Sequence, residues 1–332
     1  MIGAAGFAAC TVVLLIDPLV ASPAGPIPPA KRITASVVRT LAAPADDPMR
    51  LPTDVAVDPE GRTFVADGVN NRIVRFSRDG RFDGAIAAPG GLALNQPVGL
   101  TTDNHGRLWI ADTGNHRIVV TATDGRLLEH FDLDAAEGGR AFDATDIAVT
   151  ADGKRTYIVD NDNHRLAIRS NADGNLTFLG KFGDGLGHFK WPFMVCIAPN
   201  GYVYVSESMG ARVQRISPAD RWSGQIGQWG VELGQLYRPK GIATDADARV
   251  CVGDSTLGVV QMFDARGATI GVLCDRQGGI LKFEHPMGMC FDKSGRLYVV
   301  ELAANRVAVV AMDLSPVQTT RPRENARAGD KP

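Results

Sequence analysis

Two aspartates, each preceded by a threonine, are the side chains of this sequence best suited to hold a cation. Thr53-Asp54 and Thr145-Asp146 both stand where a short apolar run begins. Two carboxylates converging on one point can hold Ca or Mg, with waters completing the shell. The same pair can instead accept main-chain N–H groups at a strand start, helped by the threonine hydroxyls. A catalytic zinc asks for three imidazoles on one ion. The six histidines, His105, His116, His130, His164, His188 and His285, show no spacing that would gather them. No Ser-His-Asp or Cys-His nucleophile pattern stands out. The cysteines Cys196, Cys251, Cys274 and Cys290 lack metal-ligand spacing. They read as free buried thiols serving as small hydrophobes, with their redox compartment undecided.

A more frequent acid recurs with a fixed companion. Asp67, Asp112, Asp160, Glu207, Asp254 and Glu301 follow one another at intervals of 45, 48, 47, 47 and 47. Five residues after each stands Arg72, Arg117, Arg165, Arg212, then Val259 as the exception, then Arg306. Three residues before each stands Phe64, Trp109, Tyr157, Tyr204, Cys251 or Tyr298. A proline opens most units, at Pro52, Pro97, Pro192, Pro239 and Pro286, with Ala144 taking that place in the third. An acid at the end of one strand and a guanidinium at the start of the next can pair and pin the corner between them. Six recurrences make these pairs scaffold, since catalysis seldom needs one group six times. The fifth unit, where Asp254 has no arginine, is open to two explanations: a working carboxylate or drift.

The elements that must position these groups are short strands. Within Gln96–Gly125, the runs 99–102, 107–111 and 117–121 read as strands separated by Asp-Asn-His-Gly and a polar loop, and 126–131 as a fourth after Asp124-Gly125. Asp, Asn and Gly accept left-handed backbone, so these dipeptides are hairpin turns. Four strands repeated at a period near 47 specify propeller blades. The expected fold is all-β: a six-bladed propeller of four-stranded antiparallel blades. The run 33–42 is an isolated strand, and the last unit stops after its third, so the N-terminal strand should complete the last blade.

These residues resemble the NHL-repeat family of six-bladed propellers, with its proline-opened first strand and Asp-x-x-Asn-x-Arg loop. The likeness covers roughly residues 33 to 311. It is plainest in Ala66-Asp67-Gly68-Val69-Asn70-Asn71-Arg72-Ile73 and Ala111-Asp112-Thr113-Gly114-Asn115-His116-Arg117-Ile118. The segment Leu51-Pro52-Thr53-Asp54-Val55-Ala56-Val57-Asp58-Pro59 is also similar to the peptidylglycine amidating lyase propellers. That resemblance implies zinc-binding histidines directly after the blade-opening prolines. Those positions hold Thr53, Val98, Phe193, Lys240 and Met287, so the zinc set is absent. The family likeness speaks to fold; propellers host many unrelated activities.

Composition sets the remaining bounds. The 332 residues carry a net charge of -2 and are 45% hydrophobic, an ordinary globular balance with no electrostatic case for nucleic acid. Ile2 to Ile16 carry no charge, and a small-residue segment follows Asp17-Pro18, so residues 1–24 read as a signal peptide or a membrane anchor. No Lys or Arg precedes the apolar run, unlike an ordinary signal. Residues 25–32 read as a proline-rich linker, 33–314 as the propeller and 315–332 as a disordered tail. The expected protein is exported, periplasmic or secreted, meets a membrane only through that anchor, and is a monomer.

Propeller geometry puts the first-strand entries and the loops between second and third strands on one face. The expectation is a binding platform for a protein or small ligand there, with Trp191, Phe193, Met209, Lys240 and Met287 as contacts. The alternative is a metal-dependent lyase or hydrolase, lactonase-like or amidating-lyase-like, with Asp54 and Asp146 near a Ca or Mg ion at that mouth of the channel. No other cofactor is implied.

Overall fold

The computed structural model describes residues 27–133 and 140–314. The expected leader or anchor at 1–24 and the expected tail at 315–332 lie outside them. Strand β1, Arg32–Leu41, comes first. One sheet holds β2 to β5, at Val55–Val57, Thr63–Asp67, Arg72–Phe76 and Phe82–Ile86. The next holds β6 to β9, at Leu100–Thr102, Arg107–Asp112, Arg117–Ala122 and Leu127–Asp132. A third holds β10 to β13, at Ala144–Val149, Arg155–Asp160, Arg165–Ser170 and Leu176–Leu179. The fourth holds β14 to β17, at Pro192–Ile197, Val203–Glu207, Arg212–Ile216 and Trp222–Ile226. Each is an antiparallel meander in chain order. Together they make an all-β propeller of four-stranded antiparallel blades.

The other strands form one eight-stranded sheet rather than two separate ones. It holds β18 to β21, at Pro239–Thr244, Val250–Asp254, Val259–Phe263 and Thr269–Cys274. It also holds β22 to β24, at Pro286–Phe291, Leu297–Glu301 and Arg306–Asp313. The strand order is β18-β19-β20-β21-β1-β24-β23-β22. From Thr34 to Leu41, β1 pairs antiparallel with β24. Its first residues, Arg32 to Thr34, pair parallel with Val272 to Cys274 of β21. The ten residues of β1 explain the fusion: the strand covers β24 and still reaches the neighbouring edge. Ile33, Ala35 and Leu41 turn inward and are buried.

The end of the proline-rich stretch is docked. Ile27 is buried against Leu257, Val259, Val272 and Cys274, and Pro29–Lys31 make a single 3-10 turn. This also explains the fifth unit. Where its counterparts carry arginine, Val259 is covered by Ile27. Asp254 instead accepts the N–H groups of Tyr237 (2.6 Å), Arg238 (3.0 Å), Thr256 (3.2 Å) and Leu257 (3.0 Å). The place of the arginine is thus taken by an apolar contact, and main-chain donors satisfy Asp254 without it.

The aromatic column is fully buried between sheets, and Cys251 fills its place in the fifth unit. The polar tips that reach it find partners, as buried hydrogen-bonding groups must. Trp109 Nε1 donates to Asp103 at 2.9 Å and the Tyr157 hydroxyl to Asp220 at 2.6 Å. Among the described residues no helix is long and apolar enough to cross a membrane.

Candidate functional site

Each recurring acid ends a second strand and faces two ways. Its guanidinium partner is in reach in every expected pair: Asp67–Arg72, Asp112–Arg117 and Asp160–Arg165 at 2.7 Å, Glu207–Arg212 and Glu301–Arg306 at 2.6 Å. The same carboxylates accept the N–H groups of Arg50, Asn95, Asp143, Lys190 and Glu284, on the chain leading into each first strand. One acid thus ties a loop, an arginine and a strand entry. That is scaffold, and it holds the first strands at the centre.

The first strands surround a cavity of about 270 Å³. Exposure rises along them. Two residues after each opening proline, or after Ala144, stand Asp54, Gly99, Asp146, Met194, Gly241 and Gly288, all buried. Five residues after it stand Val57, Thr102, Val149, Ile197, Thr244 and Phe291, all partly exposed. The cavity therefore opens toward the Asp-Gly turns, opposite the loop-rich face where sequence placed its mouth. The loop-rich end is closed by contacts between units. Thr53 Oγ1 donates to Val98 O at 2.6 Å, Thr145 Oγ1 to Phe193 O at 2.8 Å, and Gly288 N to Thr53 O at 2.9 Å. A Cβ on Gly241 would stand 2.0 Å from Met287 O, so glycine is what lets those entries converge.

Asp54 and Asp146 form the floor of this funnel. Asp54 accepts Val55 N and Leu100 N, each at 2.8 Å. Asp146 accepts Ile147 N at 2.8 Å and Val195 N at 2.7 Å. Each aspartate thereby joins its own unit to the next. The two carboxyls also act on one another's ionisation. A Cβ on Gly99 would lie 2.5 Å from Asp146 Cα, and one on Gly288 2.0 Å from Asp54 Oδ1. Burial pushes the Asp54 carboxyl up to about 7, against the opposing pull of its N–H donors. Burial, then the charge of Asp54, pushes Asp146 well above the usual range. Two carboxyls this close keep a proton between them near neutral pH. A proton-sharing pair can give and take protons at the floor of a cavity.

The donor set is thin for a divalent ion. The four carboxylate oxygens already accept main-chain N–H groups, and among the described residues no three His, Cys, Asp or Glu side chains gather at one point. Cys196 and Cys290 line the walls as free thiols. Burial pushes both thiols up, aided by the charge of Asp146 on Cys196 and of Asp54 on Cys290, which leaves them poor nucleophiles.

The loop-rich face carries the other candidate. Of the contacts expected there, Phe193 and Met287 are buried in the largest core cluster. Lys240 lies with its ammonium 4.5 Å from the Phe193 ring centre. Trp191 and Met209 are exposed, as a contact residue must be. Trp191 has a left-handed backbone, φ 52°, immediately before Pro192, a conformation rare for a bulky residue. Its indole stands edge-on to His164 at 4.8 Å and to Phe182 at 5.9 Å. The Trp191 carbonyl accepts Ser208 N, whose neighbour Met209 touches the Arg238 guanidinium through sulfur. Next to Arg238, Tyr237 packs on Trp229 at 6.2 Å. Two aromatic groups, His164–Phe182–Trp191 and Trp229–Tyr237, are thus joined through Ser208, Met209 and Arg238 into one belt.

Phe182 and Trp229 belong to this belt, Leu186 is exposed on the connection that carries Phe182, and all three were missed from sequence. Their exposures are 57%, 52% and 72%, the last being the highest of any large apolar side chain described. The signal was present in two matching connections, Phe182-Gly183…Gly187-His188-Phe189 and Trp229-Gly230…Gly234-Gln235-Leu236. In each, the first aromatic bridges to the inner residue, Phe182 with Phe189 and Trp229 with Leu236.

Comparison with known proteins agrees with this architecture. The NHL repeat family matches residues 94–120. Protein brain tumor of Drosophila melanogaster is 26% identical over 132 residues, which is 39% of this chain and 12% of that protein. The match therefore spans only a small part of that relative's length. A streptogramin B lyase structure superposes with a TM-score of 0.60 at 13% identity, over 85% of this chain and 98% of that one. A gluconolactonase from Xanthomonas campestris gives 0.61 at 15% identity, over 87% and 99%. At such identities the likeness concerns fold alone. Residues 94–120 thus match an NHL repeat, the repeated acid–arginine unit extends that pattern along the chain, and the fold is the β-propeller of these structural neighbours.

Proposed function

We propose that this chain is a six-bladed propeller serving as a binding platform through its loop-rich face. Six blades follow if the eight-stranded sheet is divided at the three-residue parallel contact between β21 and β1, leaving β22, β23, β24 and β1 as the last blade. The observation that carries the platform is the aromatic belt: Phe182, Trp191, Met209 and Trp229 are exposed along it, with His164 and Arg238 among its contacts. Buried anchors of Trp, Tyr and Arg type dominate interface energetics. A protein or a small ligand is the partner class that fits the sequence. The test is quantitative binding of a captured partner to wild type, Trp191→Ala and Lys240→Ala. Loss of about tenfold or more with Trp191→Ala is expected; affinity unchanged in both variants sinks the platform.

A second activity, a lyase or hydrolase working at the channel floor, is favoured by the proton-sharing pair in its cavity. Asp54 and Asp146 would carry it, opening to the Asp-Gly turn face. Metal content of purified wild type, Asp54→Ala and Asp146→Ala measures whether a divalent ion belongs there. Stoichiometric metal lost in both variants supports the enzyme; equal content in all three removes the metal-dependent version.

A further inference from the structure

We infer that the partner of the loop-rich face is a lipid bilayer, to which the apolar N-terminal stretch tethers the chain. This rests on that face being a binding surface and names what it binds. The first described residue, Ile27, packs against Leu257 and Val259, with Val231, Leu233 and Tyr237 beside them. Val231, Leu233 and Tyr237 belong to the connection that carries Trp229. The chain therefore enters the propeller at one end of the aromatic belt. Before Ile27, Ile2 to Ile16 carry no charge, and Asp17 is the single charged residue of 2–26.

Ten residues, 17–26, separate that apolar run from Ile27. Even fully extended they span about 35 Å. If the run enters a bilayer, Ile27 stays within that reach of the headgroups, the connection that carries Trp229 lies beside it, and the second contact becomes intramolecular. Tryptophan prefers the membrane–water interface, where its ring is buried and its N–H stays wet. One apolar attachment alone holds a protein weakly, whereas two hold it firmly. The belt supplies the second through Trp229, Trp191, Phe182, Leu186 and Met209. Charges around it are mixed, Lys190 pairing Asp184 and Arg238 sharing its connection with Glu232, so attraction to anionic lipid is not the driving force. Binding to neutral vesicles is the specific consequence.

The experiment uses the full chain with phosphatidylcholine vesicles, with or without brominated acyl chains. Brominated lipid quenches tryptophan at the bilayer interface. Trp109 is buried and acts as an internal reference. The expected result is co-sedimentation in both low and high salt, with quenching that falls by more than half in Trp229→Phe. Trp229→Ser should weaken vesicle partition on the order of tenfold. Co-sedimentation without quenching would mean the N-terminal stretch binds alone and would overturn the inference. So would absence of co-sedimentation. Either failure leaves the platform standing if a soluble partner is still lost with Trp191→Ala, which separates the two conclusions.

Discussion

At the residue scale, the carboxyl pair and the repeated ion pairs make opposite predictions. Asp54 and Asp146 are both raised in the folded state, so the stability tied to them is present in full below the ordinary carboxylate range and is lost as pH rises from there, for Asp54 through about 7. The expected melting temperature is lower at pH 8.5 than at pH 5.5, and Asp146→Asn should flatten that slope. An unchanged slope in the variant would show that the pair does not titrate in this range. The acid–arginine pairs differ by burial. Arg212 is nearly covered and also donates to the carbonyls of Gly185 and His188 at 3.2 and 2.8 Å. Arg212→Ala should cost about 3–5 kcal/mol by urea unfolding, because Glu207 is left buried without a counter-charge and the carbonyls that Arg212 ties lose their donor. Arg306 has a 41% exposed side chain, and Arg306→Ala should cost about 1 kcal/mol or less. Equal losses at the two sites would contradict this ranking.

At the element scale, the first strands and β1 decide how tightly the units meet. Gly99 sits between the two aspartates, and a methyl there would meet main chain at 2.5 Å. Gly99→Ala should destabilise by about 1–3 kcal/mol, read in thermal unfolding, since backbone cannot yield as a flexible side chain can. The strand β1 holds two edges at once. Leu41 is fully buried near its end, and Leu41→Ala should cost about 2–5 kcal/mol. Hydrogen exchange in that variant should rise in β24, its antiparallel partner. Protection unchanged along β24 would mean that β1 adds little to the closure.

At the scale of the whole molecule, the two ends of the channel have different occupations. The loop-rich end is sealed by hydroxyl-to-carbonyl bonds between units and by buried Phe193 and Met287. The other end widens toward Thr102, Thr244 and Phe291. A ligand of the cavity and a partner of the aromatic belt would therefore bind on opposite faces without excluding one another. Substitutions on one face should leave binding at the other unchanged. A cysteine reagent supplies a direct check of access: Cys196 and Cys290 should react slowly in the folded chain, and Asp54→Ala should speed Cys290 by removing its charged neighbour. Rapid labelling of Cys290 in wild type would mean the funnel is wider than described.

Period, turn residues and apolar alternation are local properties, so the amino-acid sequence alone determined the strands, the repeated unit and the acid–arginine corners. Even the partnership of β1 with β24 could be read from a unit lacking its fourth strand. Which end of the channel opens was settled only by the convergence of first strands from different units, where three glycines allow contact that alternation cannot register. The meeting of Asp54 with Asp146 depends on the same convergence, across residues 92 positions apart. Phe193 and Phe182 look alike in sequence, yet one is core and the other is surface, because burial is decided by the neighbouring blade. The absence of arginine at Val259 likewise became intelligible only with Ile27 lying over it.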